Sequence, residues 1–152
     1  MKRRVVKTPK RNESNSDDWL QTLARLGADP MSGVHLRPGC GSTAIRQLQA
    51  AAKRDLGEEV PAAFVRLLRL TNGVQINGTY FKEAENLVSE NLDVDLAGVI
   101  ILGNDGSTAQ YVFDKRDRQF HTINMGFPDE RFASYPTFED LLLAVLREQQ
   151  VL

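Results

Sequence analysis

The apolar period of the chain changes at Asn72-Gly73, and that change limits the fold more than any other feature. Before it, apolar residues recur at helical spacing in three sets. These are Trp19, Leu20, Leu23 and Leu26, then Ile45, Leu48, Ala52 and Leu56, then Phe64, Leu67, Leu68 and Thr71. Such spacing places each set on one face of a helix. Gly27, Gly57 and Asn72-Gly73 close the three runs, because glycine and asparagine tolerate the positive φ that ends a helix. Asp17-Asp18 marks the expected start of the first helix. Ser42 or Thr43 is placed to cap the second, and Pro61 suits the first turn of the third. The intervening segment 28–41, rich in Pro and Gly, reads as a loop carrying His35 and Cys40.

After Asn72-Gly73 the pattern becomes that of strands. Val74–Ile76 and Thr79–Phe81 flank Asn77-Gly78, a two-residue hairpin signal. Residues 82–95 are polar and acidic and read as a loop. The unbroken apolar run Leu96–Leu102 predicts a central strand buried on both faces. Gly103-Asn104-Asp105-Gly106-Ser107 reads as a tight turn. Thr108–Asp114 and Gln119–Asn124 form a second hairpin. Phe138, Leu141, Leu142, Val145 and Leu146 form a closing helix, with Thr137 as its cap and Glu139-Asp140 in its first turn. This order predicts an α+β fold: N-terminal helices and one C-terminal helix packed on a mainly antiparallel sheet, without βαβ units.

The length of 152 residues fits one domain. Residues 1–16 hold six basic residues against Glu13 alone, and the rest holds 13 basic and 19 acidic residues. A basic arm therefore precedes an acidic domain over 17–152. The arm has no apolar periodicity and reads as a disordered, solvated tail. It carries no aromatic residue to stack on bases, so direct contact with nucleic acid is not expected. No apolar run approaches the roughly 20 residues that span a bilayer, and no secretory signal pattern follows Lys2-Arg3-Arg4. One cysteine cannot form an internal disulfide. The expected location is the cytoplasm, with no membrane association.

Sites of chemistry are sparse. The 103–107 turn lacks the lysine and the helix of a phosphate-binding loop. Two histidines and one cysteine are too few for a zinc site. His121 falls mid-strand and reads as a histidine facing a half-polar surface. The carboxylates lack calcium-loop spacing. No catalytic, cofactor-binding or metal-binding residue is assigned. The acidic surface is instead suited to attract a basic protein partner. The candidate contacts are Glu83, Glu85, Glu90, Asp93, Asp95, Asp105, Asp129 and Glu130, with Tyr80, Phe81 and Phe127 as anchors.

Several segments resemble one known family. Gly57, Val60-Pro61, Phe64, Leu67-Leu68 and Thr71-Asn72-Gly73 resemble the opening helical signature of the SUKH superfamily. Val99–Ser107 with Tyr111–Asp114 resembles its central strand, turn and hairpin, and Pro136–Leu142 its closing helix. The likeness covers roughly residues 42–148. It implies helices packed on a mainly antiparallel sheet and no shared catalytic residues. Bacterial members are regarded as immunity proteins that bind and block a cognate toxin, often one acting on nucleic acid. Fungal relatives coordinate cell-wall synthesis and signalling. The resemblance thus implies a non-enzymatic immunity protein for a basic toxin. The alternatives are a regulatory scaffold or adaptor of the same fold, or a small-ligand module using the 103–107 turn.

Overall fold

Among the described residues, five helices and seven strands make up an α+β fold. The computed structural model describes residues 8–152, with side chains from Asp18 onward. The elements, in chain order, are α1 (Thr8–Gly27), β1 (Val34–Leu36), α2 (Ser42–Leu56), α3 (Ala62–Leu70), β2 (Val74–Ile76) and β3 (Thr79–Phe81). They continue with α4 (Ala84–Val94), β4 (Val99–Asn104), β5 (Ala109–Asp114), β6 (Gln119–Asn124), β7 (Arg131–Tyr135) and α5 (Phe138–Glu148). The strands lie in chain order from β1 to β7 and every neighbouring pair is antiparallel. Among the described residues no helix is long and apolar enough to cross a membrane.

Side chains alternate across a strand, so the sheet divides into two faces. Ile100, Leu102, Tyr111, Phe113 and Phe120 point to one face, where they join apolar residues from all five helices in the main core. Ile101, Val112 and Ile123 point to the other, in a small cluster with Leu96 and Val99 that contains no helix residue. The main core is built around Phe138 at the start of α5. Its ring centroid lies 5.7 Å from Trp19, 5.4 Å from Phe64, 5.5 Å from Phe81 and 5.8 Å from Phe120. Thr137 caps α5 as expected, its hydroxyl accepting from the Asp140 N–H at 3.1 Å.

Several boundaries differ from the sequence reading. α1 begins at Thr8, so Asp17-Asp18 lie within it rather than at its start. Burial of Trp19 and Leu23 anchors that helix, and once nucleated a helix extends at little cost. Of the expected arm over 1–16, residues 1–7 lie outside the described residues. α2 is capped by the backbone of Gly41 and not by the side chain of Ser42 or Thr43. Pro61 is the residue before α3 rather than in its first turn. His35 lies in β1, because the supposed loop pairs with β2 through Val34–Leu36. The acidic loop 82–95 contains α4, and the apolar run becomes a strand only at Val99.

α4 solves a problem at the sheet. β3 ends at Phe81, paired with Gly103, and leaves the rest of β4 without a strand on that side. Asn91 of α4 takes over. Its amide oxygen accepts from the Ile101 N–H at 2.6 Å, and its nitrogen donates to the Ile101 carbonyl at 2.9 Å. Both groups are buried, so losing their partner carries the full cost of desolvation. Asn91→Ala is expected to lower stability by about 2–3 kcal/mol. Urea unfolding measures this, and faster amide exchange at Ile101 localises it.

The 103–107 turn is tight, as expected. A Cβ on Gly103 would collide with the Tyr80 carbonyl oxygen, and Gly106 has a φ of 78° that disfavours any other residue. Asp105 fastens the turn, one carboxylate oxygen accepting from the Ser107 N–H at 2.8 Å and the Ala109 N–H at 3.0 Å.

Candidate functional site

The eleven candidate contact residues separate into three groups. The first group is Phe81 alone. It is 2% exposed and stacks on Tyr111, with centroids 5.4 Å apart, so it is a core residue and not a surface anchor. Strand alternation explains this, since Phe81 lies one residue beyond the exposed Tyr80 and points the opposite way.

Glu83, Glu85, Glu90, Asp93 and Asp95 form the second group, on and beside α4. Three of them already have partners within the chain. Glu83 pairs with Arg37, and Glu90 pairs with Lys82. Glu85 accepts from the Asn72 side chain at 2.8 Å, a bond that holds its carboxyl below the usual range. Asp93 is exposed, and Asp95 ends the helix in a left-handed conformation with a φ of 56°.

Tyr80, Asp105, Phe127, Asp129 and Glu130 form the third group, Tyr80 in β3 and the others on turns at the same end of the sheet. Tyr80 pairs with Asn104 across β3 and β4. The Met125 N–H donates to the Thr108 carbonyl at 2.7 Å, joining the β6–β7 loop to the β4–β5 turn. Asn77, in the β2–β3 turn, donates to the Gln149 carbonyl just past α5. Within the β6–β7 loop, Asn124 donates to Glu130 at 2.8 Å. Large apolar side chains are exposed here: Tyr80 at 49%, Met125 at 43%, Phe127 at 70% and Phe132 at 51%. Met125, which the sequence left open between core and interface beside Phe127, is exposed, whereas Phe132 and the strand β7 that carries it had no sequence signal. A usable signal was charge: no Lys or Arg occurs between Lys82 and Lys115, or between Arg118 and Arg131.

The face of the sheet away from the helices holds a compact polar network. Asp114 is 1% exposed and is bonded by Arg116 at 3.0 Å and by Arg131 at 2.5 Å. Burial alone would raise its pKa. Hydrogen bonds from the Arg116 side chain and backbone and from Arg131 more than offset this, and hold it well below the usual carboxylate range. His121, expected at a half-polar surface, is buried at 1% exposure. Its Nδ1 lies 2.7 Å from Ser134 Oγ and its Nε2 lies 2.9 Å from Asp117 Oδ2. A serine, a histidine and an aspartate in sequence invite a nucleophilic reading. The same histidine with Asp114 and Asp117 invites a metal-binding one, since their ligand atoms lie within 4.8 Å of one another. Arg131 argues against both. Its guanidinium contacts Asp114, Asp117 at 3.1 Å and His121 Nε2 at 2.9 Å, so a cation from the chain itself fills the centre. Two arginines balance two aspartates, and the network ties β5, β6 and β7 together.

A groove of about 730 Å³ lies where α2 ends and α3 begins. Its charges are mixed: Lys53, Arg66 and Arg118 alternate with Glu58 and Glu59, and Arg118 is held by Glu58 at 2.8 Å. A smaller cavity of about 300 Å³ opens at the end of the sheet described above, between β5–β7 and α5. Cys40 is half-buried, and burial followed by the nearby Glu85 charge pushes its thiol up, which makes it a filler rather than a nucleophile.

No protein-family model matches this chain, and no curated protein sequence matches it.

Proposed function

We propose that this protein is an immunity protein of the cytoplasm, which binds a basic, nucleic-acid-acting toxin and blocks its active site or substrate channel. The observation that carries this reading is the group of exposed aromatic and methionine side chains at one end of the sheet. Met125 and Phe127 share the β6–β7 loop with Asp129 and Glu130, the bond from Met125 to Thr108 joins that loop to the turn carrying Asp105, and Tyr80 and Phe132 flank these loops on opposite faces of the sheet. Aromatic and methionine side chains are enriched at protein interfaces, and neighbouring charges steer the encounter. A cleft that holds phosphates is basic, and a carboxylate-bearing surface can occupy it in place of nucleic acid. The resemblance to the SUKH superfamily points the same way.

The test is co-expression with the product of an adjacent toxin-like reading frame, scored by growth rescue and co-purification. Wild type is expected to rescue growth and form a stable complex. Combining Phe127→Ala, Asp129→Lys and Glu130→Lys is expected to weaken the complex by about 100-fold or more. Full rescue by that triple variant would move the interface elsewhere. The α4 acids would then be next, tested by reversing Glu83, Glu85, Asp93 and Asp95 together.

A further inference from the structure

The 300 Å³ cavity between β5–β7 and α5 has an unusual lining. Asp105 enters from the β4–β5 turn and Glu148 from the last turn of α5. Tyr111, Tyr135 and Phe132 supply aromatic surface, and Ala144 of α5 is small enough to leave space. No basic side chain lines it. Among the described residues neither Asp105 nor Glu148 makes an ion pair, although one oxygen of Asp105 is used by the turn. Both carboxylates line the same cavity, and the charge of each is felt at Tyr111. Burial pushes the Tyr111 phenol up to about 12, and the charges of Asp105, Glu148 and Tyr135 push in the same direction.

From this lining we infer that the cavity is a receptor for one arginine side chain of a protein partner. The inference rests on the proposed binding of a basic protein and names the point of attachment. Aromatic rings present a negative face to a cation, and a guanidinium stacks on them while its edge bonds a carboxylate. Phosphates and other anions are repelled by the same two acids. The volume lies at the lower end for ligand cavities, which suits a single long side chain rather than a nucleotide. The cavity is also continuous with the proposed interface. Phe132 on its rim is 51% exposed, and Thr108 in its lining is bonded to Met125 of the β6–β7 loop.

The experiment is a chemical-shift titration of the whole chain with four probes: blocked arginine (N-acetyl, C-amide), blocked lysine, blocked citrulline and free arginine. Blocked arginine is expected to shift Tyr111, Tyr135 and Glu148 saturably. It should bind about 10-fold or more tightly than citrulline, which has the same shape without the charge. Glu148→Gln should weaken it by a similar factor, and Ala144→Leu should abolish it by filling the cavity. Glu148 is exposed at a helix end and Ala144 lies within α5, so folding survives both changes, and an unchanged spectrum elsewhere confirms this. Equal response to citrulline, no response to arginine, or binding that survives both variants would overturn the inference. A clear preference for free over blocked arginine would also overturn it, by making the cavity a small-molecule site. The two proposals fail separately. A toxin complex indifferent to Glu148→Gln and Ala144→Leu removes the arginine receptor but leaves immunity standing. Arginine binding without any toxin complex does the reverse.

Discussion

Phe138→Ala is expected to destabilise the protein by about 4 kcal/mol, which for a single domain is a large part of the total. Phe138 is fully buried and its ring approaches those of Trp19, Phe64, Phe81 and Phe120, three of them nearly edge-on. Those partners come from α1, α3, β3 and β6. Truncation removes the buried ring, opens a cavity among rigid neighbours and cancels four favourable aromatic contacts at once. Urea unfolding of the variant should show a much lower midpoint with the slope unchanged. Phe138→Leu, which keeps most of the volume, should recover more than half of the loss. A loss below about 1 kcal/mol for the alanine variant would mean that α5 does not close the core as described.

Asp114→Asn is the second large effect, expected at about 3 kcal/mol near neutral pH. The substitution keeps the shape and removes the charge. Arg131 then stands against His121 with no buried anion, and three hydrogen bonds from arginine side chains lose their anionic acceptor. Arg116 is largely exposed, so its share is screened by water, and the lower end of the range is the appropriate figure. The pH dependence follows from the direction of the shift. Asp114 has a folded pKa below its unfolded value, so its contribution is present above about pH 4 and is lost as pH falls from there towards the folded value. Wild type should therefore lose more stability than Asp114→Asn between pH 6 and pH 3. Equilibrium unfolding at a series of pH values measures both, and parallel curves would remove the buried ion pair from the account.

The sequence reading succeeded where a local rule had a single outcome. Asn77-Gly78 made its hairpin, with Asn77 at a φ of 53°, and Thr137 capped α5. The α+β order followed from the change of period at residue 72. Three elements escaped. α4 was hidden because its buried side holds little beyond Leu87 and the polar Asn91, so the apolar stripe that announces a helix is nearly absent. Asn91 is buried for what it bonds, which hydrophobic spacing cannot reveal. β1 and β7 are edge strands, β1 only three residues long and β7 mostly exposed, and a neighbour in space defines them. The candidate site was half readable. Acids and Phe127 could be chosen by type, but Phe81 could not be told from Tyr80 without its register. Nor could the placing of Asp105 and Glu148 around one cavity be foreseen, since they come from distant parts of the chain.

The chain-order arrangement of the strands bears on how the molecule is made. From β4 onward each strand joins the edge left by the one before it, through turns of a few residues, and these steps carry little loop-closure cost. A chain leaving the ribosome can lay down its sheet in the order of synthesis, whereas the ring that unites the core arrives near the end, with Phe138. Until then Trp19, Phe64, Phe81 and Phe120 share no common partner. A nascent chain halted before α5 would carry an assembled sheet with an open aromatic seam, the form most exposed to chaperones and to aggregation.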